Sequence, residues 1–365
     1  MSVDEVIWEL ELHTKAKHEI LKYYLGAWFP ILASVYPRIV YVDGFAGPGV
    51  YKGGEDGSPI VALKVAINHN LLSRFRNELV FLFIEPDERR VSQLKQQIKS
   101  INPPANFKVR VECDSFENCI NRVLDSISER GKQFAPSFFF IDPFGPTGFP
   151  MELIIKICGQ NRSEVLINFS YQSMNQWFLQ DPSKHKSLDL LFGDIKWRKA
   201  FTMEPNKKEE SLRLSYQNSL EKLGWKVRPF RMINRHNQTQ YYLFYATKNP
   251  LGMLAMKRAM WSASPTGDFR YTDLSNPNQP NMLEKSFDEQ YAKEFAEDIY
   301  SKHKGTSVPK QALIDELAWH PICIERHLTR ALRYLENEKQ PPNIINVSNR
   351  SRRGTYPDGC VIEFL

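Results

Sequence analysis

The chain has 365 residues, of which 42% are hydrophobic and 25% charged, and its formal net charge is +6. This length suggests about two domains, and the composition excludes a disordered or fibrous protein. The longest apolar stretch, residues 23–36, is too short to span a bilayer and has no charged leader, and the five scattered cysteines form no CxxC pair. Neither a disulfide framework nor a zinc site is indicated, so a cytoplasmic protein without a metal is expected.

The first half of the chain alternates predicted helices and strands. The spacing of apolar residues predicts helices at 15–33, 60–67, 89–100, 116–129 and 151–158. Short apolar runs predict strands at 38–42, 79–84, 107–112, 136–141 and 164–169. Because these runs do not alternate with polar residues, they are typical of strands buried on both faces. The sequence therefore predicts an α/β fold with a doubly wound, mostly parallel sheet.

The second half of the chain is less regular. Its patterns predict a helix at 210–223, a strand at 240–247, a helix at 251–261 and a loop at 265–280, then helices at 287–304, 310–318 and 323–338 and strands at 344–347 and 360–364. Three helices followed by a hairpin is the order of a winged helix. We therefore expect one domain over residues 1–280 and a winged-helix-like domain over residues 286–365.

The positive charge is concentrated in residues 196–235, which hold eleven Lys and Arg against four Asp and Glu. We interpret this segment as a basic insert in the first domain. It is either a solvated surface or a patch that binds a polyanion, and charge alone does not separate these two interpretations.

Polar residues follow each of the first four predicted strands. The first strand ends in Asp43-Gly44-Phe45-Ala46-Gly47-Pro48-Gly49, the second in Glu85, the third in Asp114 and the fourth in Asp142-Pro143-Phe144-Gly145. The carboxyl ends of parallel strands line the ligand crevice of a doubly wound sheet. Taken singly, Asp43 and Asp114 are also compatible with caps of the following helices, and Asp142-Pro143 with a turn. A P-loop is excluded, because no GK[ST] follows the glycines.

This order of motifs resembles that of Rossmann-like methyltransferases that use S-adenosylmethionine. The resemblance implies that acidic side chains hold the ribose and adenine. It also implies that the turn formed by residues 44–49, called the glycine turn below, approaches the cofactor. Lys17 on the first helix is either the partner of the cofactor's carboxylate or a surface lysine. The predicted cofactor-binding residues are Lys17, Asp43, Gly44, Ala46, Gly47, Gly49, Glu85, Asp87, Asp114 and Ser115.

The segment Asp142-Pro143-Phe144-Gly145 resembles the Asp-Pro-Pro-aromatic motif of amino-methyltransferases, and more closely the DPFG of tRNA guanine-N2 methyltransferases. An exocyclic base amine is a poor nucleophile until oxygen acceptors localise its lone pair. We assign Asp142 and the Pro143 carbonyl as these catalytic acceptors and Phe144 as the surface on which a flipped base stacks. The second Pro of the motif is absent, so a degenerate site is the alternative.

Most of the chain resembles the three-Cys-motif partner (TcmP) family. The resemblance lies in KHEILKYYLGAWFPIL, YVDGFAGPGVYKGGEDGSPIVAL, FLFIEPD, FFFIDPFG, LINFSY and MLAMKRAMWSASPTGDFRY. It implies a bacterial, methyltransferase-like protein with a C-terminal winged-helix-type domain. It also implies a separate partner protein that carries a three-cysteine motif, similar to radical-SAM iron–sulfur proteins.

Two groups of arginines mark the C-terminal region. Arg326, Arg330 and Arg333 share one face of a predicted helix, and Arg350, Arg352 and Arg353 lie in the predicted hairpin. A recognition helix with a basic wing predicts binding to DNA or RNA, and a protein contact is the alternative.

Three functions remain open from the sequence. The first is a methyltransferase acting on a base amine of nucleic acid. The second is a nucleic-acid-binding subunit with a degenerate cofactor pocket that works beside the three-cysteine protein. The third is a small-molecule methyltransferase.

Overall fold

A computed structural model describes residues 5–71, 78–160, 162–222, 224–264, 267–273 and 282–365. The described residues form two compact units, one of residues 5–249 with 271–273 and one of residues 250–270 with 282–365. The sequence-based boundary at 280–286 therefore differs from the structure. The reason is the helix that begins at Pro250, whose Leu254 belongs to the apolar core of the second unit. Most of the predicted loop at 265–280 lies outside the described residues.

The first unit contains a large sheet and its flanking helices. Its helices are α1 (Leu12–Ala33), α2 (Ser58–Ile67), α3 (Glu88–Ile101), α4 (Phe116–Glu129), α5 (Met151–Cys158), α6 (Tyr171–Ser173), α7 (His185–Phe192) and α8 (Pro205–Glu221), with a π-helix at Met174–Phe178 and 3₁₀ helices at Pro182–Lys184 and Lys196–Thr202. Its strands are β1 (Arg38–Asp43), β2 (Glu78–Ile84), β3 (Phe107–Glu112), β4 (Ser137–Ile141), β5 (Ser163–Phe169), β6 (Lys226–Ile233), β7 (Thr239–Thr247) and β8 (Arg270–Thr272).

The sheet has the strand order β3-β2-β1-β4-β5-β7-β6-β8. Strands β1 to β5 pair in parallel, and β7 is antiparallel to both β5 and β6. The predicted doubly wound, mostly parallel sheet is confirmed. The chain order reverses between β1 and β4, and such a switch point opens a crevice at the carboxyl ends of the strands.

Burial explains why the apolar runs became strands. Every residue of β4 and β5 is buried, and Phe139, Ile141 and Ile167 belong to the apolar core between the sheet and its helices. Helices on both faces leave no room for alternating polar residues.

The description of residues 196–235 as an insert needs correction. Lys226–Ile233 forms β6, which pairs with β7 along its whole length inside the main sheet. The strand was not predicted because its charged residues and Pro229 interrupt the apolar pattern.

The second unit combines four helices and a small sheet. The helices are α9 (Pro250–Ala263), α10 (Met282–His303), α11 (Lys310–Trp319) and α12 (Glu325–Asn337), and the strands are β9 (Ser307–Pro309), β10 (Ile344–Val347) and β11 (Val361–Phe364). The sheet is antiparallel, with the order β10-β11-β9. Within the described ranges, none of the helices is both long and apolar enough to cross a membrane.

Candidate active site

A cavity of about 400 Å³ lies at the carboxyl ends of β1, β4 and β5. This volume is in the range of small-molecule sites, and the position is the switch point of the sheet. The lining residues come from α1 and the segment before it, the glycine turn after β1, the ends of β4 and β5, and the start of β7: Trp8, Glu11, His13, Thr14, Lys17, Phe45, Ala46, Gly47, Pro48, Gly49, Val50, Tyr51, Gly57, Ser58, Asp142, Pro143, Phe144, Asn168, Ser170, Gln172, Ser173, Gln240 and Tyr241.

The glycine turn supplies one wall of the cavity. Gly47 and Gly49 have φ of +60° and +77°, a conformation that favours glycine. A Cβ at Gly49 would also lie 2.7 Å from Leu94 Cδ1. Gly44 does not line the cavity; a Cβ there would lie 2.6 Å from the Phe116 ring. Gly44 is therefore required by packing against α4 rather than by a ligand.

Asp43 lies beneath this turn and not in the cavity wall. Its carboxylate accepts a long hydrogen bond from the Phe45 backbone N–H at 3.4 Å, and its side chain is completely buried. Burial raises the pKa of Asp43 to about 7, although a hydrogen bond from the Ser58 side chain acts in the opposite direction. Because Ser58 begins α2, the carboxyl joins the end of β1 to the start of that helix.

Three polar side chains meet at the far wall. Lys17 Nζ donates to Asp142 Oδ2 at 2.5 Å, and Asn168 Nδ2 donates to Asp142 Oδ1 at 2.6 Å. Lys17 is buried, so it is not a surface lysine. In this structure Asp142 is its partner, and the pairing of Lys17 with a cofactor carboxylate stays a prediction.

Phe144 is exposed over 54% of its surface and lines the cavity, as a stacking surface requires. One side of its ring is covered, because the Trp8 indole lies 4.7 Å away, centroid to centroid. The Arg90 guanidinium lies 4.4 Å from the Trp8 ring and 5.8 Å from the Phe144 ring.

The same arginine also contacts the carboxylate of Glu85. Arg90 Nη1 lies 3.5 Å from Glu85 Oε1, and Glu85 Oε2 accepts the Gly47 backbone N–H at 3.1 Å. Glu85 is only 2% exposed and does not line the cavity, and burial raises its pKa. In this structure the Glu85 carboxylate is therefore occupied by Arg90 and by backbone N–H groups.

Asp87, Asp114 and Ser115 lie outside the cavity wall, and Asp87 and Ser115 act as helix caps. Asp87 accepts the Arg89 backbone N–H at the start of α3, and Ser115 accepts that of Asn118 at the start of α4. The carboxylate of Asp114 pairs with Arg122 at 2.7 Å, and this hydrogen bond lowers its pKa. The capping alternative that the sequence left open for Asp114 is not realised, because Ser115 is the N-cap of α4 and Asp114 pairs with Arg122 instead.

Several lining residues were not predicted. Gln172 follows β5, so the rule that selected the other strand ends would also have found it. Trp8 and Tyr241 carry no such signal, because an irregular N-terminal segment and the antiparallel β7 bring them to the cavity.

The six arginines predicted to bind nucleic acid are mostly engaged within the second unit. Asp288 on α10 accepts from Arg330 at 2.5 Å, from Arg326 at 3.0 Å and from His327 at 2.9 Å. The Arg326 guanidinium also lies 4.5 Å from the Trp261 ring. These contacts tie α12 to α10.

The hairpin arginines are held at the other end of α12. Glu336, whose side chain is 2% exposed, pairs with Arg350 and lies 3.6 Å from Arg353. Arg333 donates to the Gly354 carbonyl. Arg352 is exposed, and its side chain has no hydrogen-bond or ion-pair partner among the described residues. Of the six predicted nucleic-acid-binding arginines, it is the one most available to a phosphate.

The strand order, with β7 antiparallel, is that of the Rossmann-like methyltransferase fold, so the predicted fold class of the first unit is confirmed. No family model matches the chain, and no curated protein matches it. Solved structures with some similarity include Trm1 from Pyrococcus horikoshii with S-adenosyl-L-methionine (12% identity, TM-score 0.41, 99% of this chain and 92% of that chain). An O-methyltransferase from Bacillus cereus in complex with SAH is similar at 13% identity (TM-score 0.34, 62% of this chain and 80% of that chain). TomG, an O-methyltransferase from Streptomyces achromogenes in complex with SAM, is similar at 12% (TM-score 0.35, 67% and 92%). These scores are low, and the fold assignment rests on the strand order.

Proposed function

We propose that this chain is an S-adenosylmethionine-dependent methyltransferase that acts on an exocyclic amine of a nucleic-acid base. One observation carries the proposal: the glycine turn and the Asp142-Pro143-Phe144 segment line the same cavity at the switch point of the sheet. The turn is where a Rossmann-like fold approaches its cofactor, and the segment is the motif of amine methylation. Membership of the three-Cys-motif partner family is part of the same proposal.

The cavity fits the methionine end of the cofactor better than its adenosine end. Gly57 and Ser58 at the start of α2 line the cavity, and the N-terminus of a helix favours a carboxylate. The adenosine end requires Glu85, which is paired with Arg90, and the Arg90 guanidinium in turn lies over the Trp8 ring. We therefore expect these two side chains to move when the cofactor binds. The cofactor supplies an electrophilic methyl group on a sulfonium.

The residues of the chain contribute positioning and hydrogen bonding. Phe144 stacks the base, and oxygen acceptors at the ends of β4 and β5 take hydrogen bonds from its amine, which localises the nitrogen lone pair. Methyl transfer from a bound cofactor would form the N–CH₃ bond as the S–CH₃ bond breaks, and the bonding pair would stay on sulfur. The proton released by the nitrogen passes to water in the open cavity.

Calorimetric titration with S-adenosylhomocysteine tests the cofactor, and transfer of tritium-labelled methyl groups to bacterial RNA and DNA tests the reaction. We expect Asp142→Ala to abolish transfer while the protein still binds S-adenosylhomocysteine. Asp125→Ala, on the exposed side of α4, is the matched control and should retain full transfer. The proposal fails if the wild-type protein does not bind S-adenosylhomocysteine.

The covered Glu85 favours a second candidate, a nucleic-acid-binding subunit with a degenerate pocket that acts with a three-cysteine protein. Trp8→Ala separates the two. In an enzyme, the substitution removes contacts that cofactor binding must break, so the affinity for S-adenosylhomocysteine should rise by about tenfold. If the chain is a degenerate subunit, neither the wild type nor Trp8→Ala binds S-adenosylhomocysteine. Asp142→Ala then leaves the biological activity intact, and removal of the hairpin arginines abolishes that activity.

The second unit supports nucleic acid as the partner. Its order of helices and strands, with the antiparallel sheet β10-β11-β9, supports the proposal that this unit is a winged helix. Arg352 is exposed between β10 and β11, and in a winged helix this segment would be the wing that meets phosphates. A short duplex whose binding weakens with added salt would support this assignment, whereas salt-insensitive methylation of a small molecule would oppose it.

A further inference from the structure

Asn168 has an acceptor that no described residue uses. The residue lies in β5 beside the cavity and is 6% exposed. Its Nδ2 donates to Asp142 Oδ1 at 2.6 Å, but its Oδ1 is buried without a hydrogen-bond partner among the described residues. A buried oxygen left in this way costs about 1–3 kcal/mol. A ligand that donates an N–H to this atom recovers that free energy.

The neighbouring carboxylate fixes the orientation of this amide. Both oxygens of Asp142 already accept hydrogen bonds, one from Asn168 and one from Lys17 Nζ at 2.5 Å. A reversed amide would set the oxygen of Asn168 against a carboxylate oxygen, and the two would repel. Asp142 and Lys17 therefore hold the Asn168 oxygen in place as the acceptor.

We infer that Asn168 Oδ1, rather than the Asp142 carboxylate, accepts the hydrogen bond from the amine of the substrate. The inference rests on the proposed function and narrows its substrate class. Lys17 balances the charge of Asp142, so this ion pair has no net charge. The acceptor is therefore a neutral amide beside an ion pair of zero net charge. This environment selects a neutral aromatic amine over an ammonium group.

Paired nucleosides that differ only in the amine provide the test. The pairs are adenosine with purine riboside, guanosine with inosine, and cytidine with pyrimidin-2-one riboside. Each is titrated by ligand-observed NMR into the full chain saturated with S-adenosylhomocysteine. We expect the wild-type protein to prefer the amine-bearing member of at least one pair by about fivefold. Asn168→Ala should reduce that preference to near unity and leave the affinity for S-adenosylhomocysteine within about twofold.

Two further variants keep the test decisive. Asn168→Leu, which has a similar shape, replaces Asn168→Ala if the alanine variant does not fold and should give the same loss. Asn118→Ala, on the exposed side of α4, is the control and should keep the wild-type preference. The inference is overturned if the preference survives both Asn168 substitutions, or if the wild-type protein binds S-adenosylhomocysteine but shows no preference. An absence of S-adenosylhomocysteine binding would instead overturn the proposed function.

Discussion

Replacing Asp43 by Asn should change how the stability of the first unit depends on pH. The carboxyl is completely buried at the end of β1, and burial raises its pKa to about 7 from an ordinary value of 3.8. Between these two values, the folded protein holds a proton that the unfolded chain has released. Stability falls as pH rises wherever the folded state binds more protons than the unfolded state. The stabilising contribution of protonated Asp43 is therefore present below about pH 4 and is lost as pH rises to about 7.

The size of the effect follows from the shift. One pKa unit corresponds to about 1.4 kcal/mol, so a shift of roughly three units limits the loss to about 4 kcal/mol. An asparagine does not titrate, and its amide oxygen can still accept the Phe45 backbone N–H. The free energy of unfolding of Asp43→Asn, minus that of the wild type, should therefore increase between pH 4 and pH 8 by up to about 4 kcal/mol.

Urea unfolding followed by circular dichroism at several pH values measures this difference. The titrations of other groups contribute equally to both proteins and cancel in this difference, unless those groups interact with Asp43. The control is Asp125→Asn in the exposed part of α4, for which the difference should be flat. A difference for Asp43→Asn that stays constant within about 0.5 kcal/mol would show that the carboxyl is charged in the folded protein, and the reasoning from burial would be wrong.

Four other predictions concern buried charges and the hairpin. Burial lowers the pKa of His18 to about 3, so His18→Gln should remove about 2 kcal/mol of acid destabilisation at pH 5 in urea titrations, and equal acid sensitivity would contradict this. Lys257 donates to three backbone carbonyls in the second unit; Lys257→Met should cost about 2 kcal/mol in thermal unfolding, and an unchanged midpoint would refute a stabilising role. Arg350→Ala removes a partner of buried Glu336 and should lower the unfolding midpoint. Arg352→Ala should leave that midpoint unchanged and reduce the salt dependence of duplex binding by about one unit of slope, whereas an unaltered slope would exclude a phosphate contact.

The central sheet was predictable because burial on both faces produces a continuous apolar run. The limits predicted for β3, α4, α5 and β10 agree with the structure. β6 and β9 were missed for different physical reasons. β6 carries Lys226 and Arg231 among its buried residues, and β9 has three residues, too few for any pattern.

The site was predictable to the extent that it depends on strand ends. The glycine turn and Asp142 were found because parallel strands bring their carboxyl ends together. The Lys17–Asp142 pair joins residues that are 125 positions apart, and the N-terminal segment reaches Arg90 across 85 positions. No local pattern encodes such contacts. A cap and a ligand contact also require the same residue types, so the sequence could not assign Asp114 to either role.

The net charge counted over residues 196–235 differs from the net charge of the surface that these residues form in the folded protein. Residues 196–235 carry a strong excess of Lys and Arg, but Arg198 pairs with Asp189 and Lys222 with Asp194, two acids that lie just before the counted segment. Each of these ion pairs neutralises one positive charge of the segment with an acid that lies outside the segment. The patch offered to a polyanion is therefore smaller than the sequence suggests. Phosphate contacts elsewhere, such as at Arg352, must then contribute to any affinity, and we expect a modest salt slope.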